Sequence, residues 1–393
     1  MKAIKNCLPQ NSDSGQDSDA LRKMSEATRR ASTVIESELK KLAEMDMVIV
    51  VGGMVNAGKS TTINAIVGFE LLPEKNIPMT LLPTLIRHKP RQSEPELSIH
   101  DPQRINELLE RLRILGSDEQ ASLRSCGEPL QRLILDGRIN RSYQGQENVS
   151  RTLTSLNDLF SLSSQLGVAT PYEHYCRIDH MPTISVEYSI LRDQDNSGMR
   201  GQLVLMDTPG YNEQRRGSLS GIVREEVYKQ LDQASGIIGL MDYTQSDPQQ
   251  EDTFCEALSR ISRQSRCNIS AWVNKWDQKN QNSEDENQVK SRLAGKLDGV
   301  LTRDNVYPVS ARNAFLANTA LRELEQNTRL PDGDANPWVK DFYKATYGDS
   351  WQRRIKGLTA EDIQEDAEDL LNNSCFQQPI KNMALFDFRT ALQ

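Results

Sequence analysis

The sequence predicts an α/β fold: a mainly parallel sheet covered by helices on both faces, with a helical insertion and flanking helices. Three observations predict it. "DMVIVV" is a short β-branched apolar run that ends in a glycine-rich turn, and a helical pattern follows at once. Farther along, short apolar runs alternate with helical stretches, the rhythm of parallel strands joined by crossovers. Between about residues 101 and 170 that rhythm stops, and a polar, helix-patterned stretch takes over.

Taken in order, residues 1–18 are rich in Ser, Asp, Gln and Asn, a composition that predicts a disordered tail. Residues 19–45 predict one long amphipathic helix, because Leu21, Met24, Thr28, Ala31, Ile35, Leu39 and Leu42 recur three or four places apart. The first strand follows, then a helix from about Lys59 to Val67. Further strands are expected at 83–88, 182–190, 202–206, 236–241, 269–273 and 305–309. "QRINELLERLRIL" and "LTSLNDLFSLSSQLG" carry the helical insertion. Residues 312–371 are helical again, with loop signals at "RLPDGDANP". The expected units are therefore a domain over 46–330 with its insertion at about 101–170, and a C-terminal helical segment over 331–393.

Composition excludes several classes. Of 393 residues, 37% are hydrophobic and 26% charged, as in an ordinary soluble globular protein. The net charge of −8 argues against a broad basic face, so no direct nucleic-acid binding is expected. The six cysteines form no CxxC pair, which argues against a disulfide framework or structural zinc and fits a reducing compartment. No apolar run reaches the ~18 residues that a membrane span needs. The N-terminus lacks the apolar core of a signal peptide. The expected location is cytoplasmic.

The glycine turn is the most specific signal. Gly53-Met54-Val55-Asn56-Ala57-Gly58-Lys59-Ser60 fits G-x-x-x-x-G-K-[ST], the phosphate-binding loop. Its glycines let backbone N–H groups turn inward around phosphate oxygens, and the helix that starts there offers its positive dipole end. Gly53, Asn56, Ala57, Gly58, Lys59, Ser60 and Thr61 are therefore the expected phosphate contacts. Lys59 should reach the β- and γ-phosphates, and the Ser60 hydroxyl should bind Mg²⁺.

Downstream, Asp207-Thr208-Pro209-Gly210 closes a predicted strand. Asp207 can hold the Mg²⁺ shell through water, and the Gly210 N–H can meet the γ-phosphate. Asn274-Lys275-Trp276-Asp277 closes another strand and selects the base. A carboxylate at Asp277 can accept two hydrogen bonds from guanine N1–H and its exocyclic amine, a donor pair that adenine lacks. The Lys275 stem can lie along the ring, and Asn274 can tie this loop to the phosphate loop. Trp276 more readily packs than stacks on the base. Ser310-Ala311-Arg312 follows the last strand, where a backbone N–H could touch guanine O6. Thr80, before the strand near Pro83, is the expected switch threonine completing the Mg²⁺ shell; Thr84 is expected to be structural. The expected ligands are thus GTP and Mg²⁺.

Other features admit two readings. Arg215 and Arg216 are charge-stabilising fingers or a solvated loop. Asp242 contacts a partner domain or its nucleotide across a dimer, or closes a strand-end turn. His174, His180 and Asp179 lack further ligands at metal spacing, and Cys176 reads as packing.

The order GGMVNAGKST, PMTLLPT, DTPG, NKWD resembles the bacterial dynamin-like GTPases from about residue 30 onward. The resemblance implies a P-loop GTPase domain with neck-like helices, GTP-dependent pairing of GTPase domains, self-association and often membrane work. One clamp-binding, replication-fork-associated branch implies a tie to the replication clamp instead. Two departures stand out. Dynamins carry a polar catalytic residue where this chain has Val55, so Asn56 is expected to act with Lys59 and Thr80 in catalysis. The chain also ends where relatives continue into a stalk, which raises a short form, a split gene or an excised domain as expectations. The expected activity is Mg²⁺-dependent GTP hydrolysis coupled to dimerisation; the alternative is a GTP-dependent switch or scaffold with little intrinsic hydrolysis.

Overall fold

The continuous apolar run Val48–Val51 forms the heart of strand β1 (Asp46–Gly53) and is almost wholly buried. A strand covered on both faces can be apolar at every position, so such runs mark the middle of a helix-flanked sheet. The computed structural model describes residues 46–54, 56–72, 82–115, 127–191, 202–209, 234–244, 248–265, 267–280 and 284–382. The expected tail, the helix 19–45, Val55, Thr80, Gly210, Arg215 and Arg216 lie outside these residues.

The elements follow in chain order. Helix α1 (Lys59–Val67) comes directly after β1, then β2 (Thr84–His88), β3 (Glu96–Ser98), α2 (Pro102–Arg113) and α3 (Glu128–Asp136). Next come β4 (Ser142–Gln144), α4 (Gln146–Gln165), β5 (Thr183–Val186), β6 (Gln202–Asp207) and β7 (Gly236–Asp242). The last are α5 (Pro248–Ser265), β8 (Asn268–Asn274), α6 (Glu286–Lys296), β9 (Val306–Pro308), α7 (Ala311–Asn327), α8 (Pro337–Tyr347) and α9 (Ala360–Asn373).

The nine strands form one sheet in the order β4-β3-β5-β2-β6-β1-β7-β8-β9. The half β1-β7-β8-β9 is parallel throughout, and β2 and β5 are also parallel. Antiparallel pairing joins β2 to β6, β3 to β5 and β3 to β4 on the other wing. The α/β class with a largely parallel sheet is therefore the observed one. After β1 the chain builds one side of the sheet, ending at β6, and then crosses to β7 on the other side. Crevices at such a reversal, outside the carboxyl ends of the strands, are where doubly wound sheets take ligands.

Two details differ from the expectation. The strand expected over 182–190 ends at Val186 and gives way to a 3₁₀ turn at Ser189–Leu191. The reason is tertiary: the Tyr188 N–H donates to His88 Nδ1 at 2.9 Å and its hydroxyl donates to the Ile86 carbonyl. These contacts turn the chain out of the ladder. Strands β3 and β4 were not anticipated, and β4 lies inside the stretch read as helical. At three residues each, "ELS" and "SYQ" are too short and polar to show a period.

Helix α7 packs against both α1 and α9. Asn318 of α7, buried, donates to the Ala65 carbonyl of α1 at 2.7 Å. Just past α9, Phe376 is fully buried with its edge against Trp272 of β8, ring centres 5.3 Å apart. The C-terminal helices are thereby part of the same core as the central strands.

Candidate functional site

The glycine turn after β1 has the backbone its sequence demands. Asn56 (φ 59°) and Gly58 (φ 90°) are both left-handed, which curls the loop into an anion-binding nest. Gly58 also has no room for a side chain, since a Cβ there would stand 2.3 Å from Asn274 Nδ2. At Gly53 a Cβ would sit 2.7 Å from the Leu240 Cβ of β7, so that glycine allows the loop to lie against the sheet. The Met54 N–H donates to the Leu240 carbonyl at 3.3 Å and fixes the loop's start. Lys59 folds back over the loop, its ammonium 3.2 Å from the Met54 carbonyl and 3.4 Å from that of Gly53. Ser60 and Thr61 occupy the first turn of α1, both half-buried, and Ala57 is buried in the loop.

Asp207 ends β6, the strand beside β1, and is buried. The next residue secures it: the Thr208 hydroxyl donates to the Val51 carbonyl of β1 at 3.0 Å. Ser60, in the first turn of the helix that follows β1, and Asp207, at the end of β6, thus belong to the ends of adjacent strands and the loop between β1 and α1. A hydroxyl and a carboxylate are the hard oxygen donors that Mg²⁺ accepts, so the set fits that ion. Thr84 is buried and donates to the Leu82 carbonyl at 3.2 Å, a structural role.

The second pole of the site lies at the ends of β8 and β9. Asn274, buried, is its hub. Its Nδ2 donates to the Ala57 carbonyl of the glycine loop at 2.8 Å, and its Oδ1 accepts from the Ala311 N–H at 2.9 Å. One side chain therefore ties three segments together. Asp277 Oδ1 accepts from the Ser310 hydroxyl at 2.5 Å, which fixes the carboxylate. Lys275 is left-handed (φ 65°), and its ammonium donates to Asp242 Oδ2 at 2.6 Å. Trp276 packs against Tyr243, ring centres 4.6 Å apart, with the Lys279 ammonium 4.8 Å above it. It is thus a packing residue.

The Ser310 and Ala311 N–H groups have protein partners. The first donates to the Ser374 carbonyl at 2.9 Å and the second to Asn274. These two residues hold Asp277 and Asn274 in place. Asp242 closes a strand-end turn: its Oδ1 accepts from the Thr244 N–H and hydroxyl at 2.9 and 2.7 Å. The contribution of Ser374 has no sequence signal beyond its place after a helix; Thr208 lies within the Asp207-Thr208-Pro209-Gly210 motif, and for Asp242 the sequence does not show the link to Lys275.

Elsewhere, His174 and His180 stack with ring centres 4.1 Å apart, and His174 Nε2 lies 3.4 Å from Asp101. Burial and the neighbouring ring hold His174 below its ordinary pKa. Among the described residues no group of three or more His, Cys, Asp or Glu is placed to hold a metal ion. Nor is any described helix long and apolar enough to cross a membrane.

Comparison with known proteins adds the following. Residues 49–269 match the family described as the dynamin family. The chain is 35% identical over 382 residues to the clamp-binding protein CrfC of Escherichia coli, and equally to that of strain K12. The match takes in 91% of this chain and 49% of CrfC, so the chain spans about half the length of the curated relatives it matches. A solved bacterial dynamin pair, titled for long-range sensing and tethering of membranes, aligns with a TM-score of 0.40 at 16% identity. That alignment covers all of this chain and 52% of the other.

Proposed function

The chain belongs to the dynamin family, and from that premise we propose that it binds GTP and hydrolyses it with Mg²⁺. The observation that carries this reading is the Asn274 bridge, which joins the glycine loop to the loops bearing Asp277 and Ser310. It makes one pocket out of a phosphate cradle and a base-selecting carboxylate.

In this reading Asp277 accepts from guanine N1–H and the exocyclic amine, while Ser310 keeps the carboxylate aimed. Adenine offers no such donor pair and would leave that acceptor unpaired, which disfavours ATP. Lys275 lays its stem along the base. The loop N–H groups and the first turn of α1 hold the phosphates. Lys59 exchanges its two carbonyls for β- and γ-phosphate oxygens, where its charge opposes the negative charge that develops in transfer. Ser60 and Asp207 would hold Mg²⁺, with Thr80 completing the set; when bound, the ion neutralises charge on the β- and γ-phosphates. Gly210 senses the γ-phosphate. Asn56, exposed on the loop, is the candidate for orienting the water. That water forms the new P–O bond as the bond to the bridging oxygen breaks, giving GDP and phosphate.

We further place the protein in the cytoplasm and expect self-association through the GTPase domain. A clamp or membrane link follows from the kinship alone. A second reading, a GTP-dependent switch or scaffold with little turnover, is favoured by Val55, an apolar residue that cannot orient water.

Phosphate release from GTP and ATP, with Mg²⁺ and across a protein concentration series, separates the two readings. The enzyme should release phosphate from GTP selectively, more than linearly with concentration if pairing completes the site, and Lys59→Ala should abolish it. Tight GTP binding without release would establish the switch. Equal turnover of ATP would overturn the base assignment.

A further inference from the structure

Asp242 combines two costly features at one point of the pocket. Its side chain is fully buried, and a buried carboxylate is expensive unless paired and hydrogen-bonded. Its cationic partner, Lys275, holds a left-handed backbone conformation that strains any residue with a Cβ. Strain and buried charge that coincide at a candidate ligand site point to a use rather than to stability.

The geometry shows what that use is. Asp242 and Asn274 are directly paired at the ends of β7 and β8. Oδ1 of Asp242 is held by Thr244, which leaves Oδ2 facing Lys275 at 2.6 Å. The next residue reinforces the link. The Tyr243 N–H donates to the Asn274 carbonyl at 3.0 Å, and its hydroxyl donates to the Glu284 carbonyl at 3.0 Å. The Asp242–Thr244 turn is therefore a cradle for the Asn274–Asp277 loop. A lysine stem has four rotatable bonds, and it lies flat along a base only if its ammonium is anchored.

We propose that Asp242 is a positioning residue for the guanine nucleotide: it anchors the Lys275 ammonium so that the lysine stem covers the base beside Asp277. The proposal rests on the GTP-binding reading above. Asp242 acts through Lys275 alone, and because the base is common to GTP and GDP, it serves both equally.

The test is a double-mutant cycle read as dissociation constants for fluorescent GDP and GTP analogues, with thermal unfolding followed in parallel. Asp242→Asn keeps the shape and an acceptor for Thr244 but removes the charge. It should weaken both nucleotides to the same degree, by roughly ten- to a hundredfold, the range of one charge-assisted hydrogen bond. Combined with Lys275→Met it should cost nothing beyond Lys275→Met alone. A folded Asp242→Asn protein with unchanged affinity overturns the proposal, as does a loss that adds in full to that of Lys275→Met. If Asp242→Asn does not fold, Asp242→Glu enters the same cycle under the same criteria. Wild-type protein that binds neither nucleotide overturns the GTP reading and this proposal with it; wild-type binding that Asp242→Asn leaves intact overturns this proposal alone.

Discussion

At the base end of the pocket, Asn274, Lys275 and Asp277 are each held by side-chain or backbone partners from other segments, at 2.5–2.9 Å. At the phosphate end, Lys59 leans on two carbonyls of its own loop at 3.2 and 3.4 Å. The first arrangement is preorganised by long-range contacts. In the second, the proposed reading has the two loop carbonyls give way to phosphate oxygens. On the proposed reading the difference teaches that base selection would rest on contacts between distant segments of the core, and phosphate contact on a short loop and the lysine that folds over it. Damage to the core should therefore appear at the base end, and damage to the loop should leave base selection intact.

The largest expected effect tests the first half of that contrast. Phe376 packs on Trp272 at the centre of β8, and the nearby Ser374 carbonyl accepts from Ser310. Phe376→Ala should lower unfolding stability by about 3–5 kcal/mol, the range for truncating a buried aromatic. Denaturant unfolding measures it, and preference for GTP over ATP should narrow in the protein that remains folded. An unchanged preference would break the link between the C-terminal helices and the base loop.

The phosphate end comes next. Lys59→Ala should reduce turnover by roughly 10²–10³-fold, as for loss of one preorganised donor to developing charge. The ratio of GTP to ATP affinity should survive in this variant, because the base loop is untouched. Asp277→Asn should do the converse. Guanine affinity should fall by about ten- to a hundredfold, equivalent to a charged hydrogen bond. Xanthine nucleotides, which offer a carbonyl where guanine has an amine, should gain, because an amide can donate to that carbonyl. Competition binding among guanine, xanthine and adenine nucleotides measures all three.

The sequence made the phosphate end legible and the base end only in part, for a physical reason. A phosphate loop needs its glycines, lysine and serine at fixed spacing within one turn, so Gly53–Ser60 identifies itself. The central strands were legible too, because burial on both faces makes β1, β7 and β8 continuous apolar runs. The wiring around Asp277 joins residues far apart in the chain: Lys275 meets Asp242, Asn274 meets Ala57, and Ser310 meets Ser374. The tie from Asn274 to the phosphate loop is expected from its motif, but no local pattern records the other two contacts. The same holds for β5, whose early end depends on Tyr188 reaching back to His88, and for β3 and β4, which are strands because β5 gives β3 an edge and β3 in turn gives one to β4. Thr80 and Gly210 rest on the sequence motifs, and their roles belong to the nucleotide-binding tests.

The smallest expected effect lies on the antiparallel wing and marks the limit of the contrast. His88 is buried at the end of β2, and its Nδ1 accepts the Tyr188 N–H at 2.9 Å, so the ring is neutral with its proton on Nε2. Burial lowers its pKa, and the opposing pull of Glu187 is the weaker influence. Because the folded value lies below the unfolded one, the unfolded chain binds the extra proton first as pH drops. The stability this group contributes is present in full above about pH 6.5 and is lost as the pH falls from there through the folded-state value. Protonation at Nδ1 would also set two N–H groups against each other. Unfolding midpoints should therefore decline below pH 6.5, and His88→Gln, whose amide oxygen can still accept from Tyr188, should flatten that decline. Its affinity for GDP at pH 7.5 should match that of the wild type, since β2 ends away from the base loop. A shift in affinity would mean that the wing and the pocket are coupled, and that the core feeding the base end is wider than β7, β8 and the C-terminal helices.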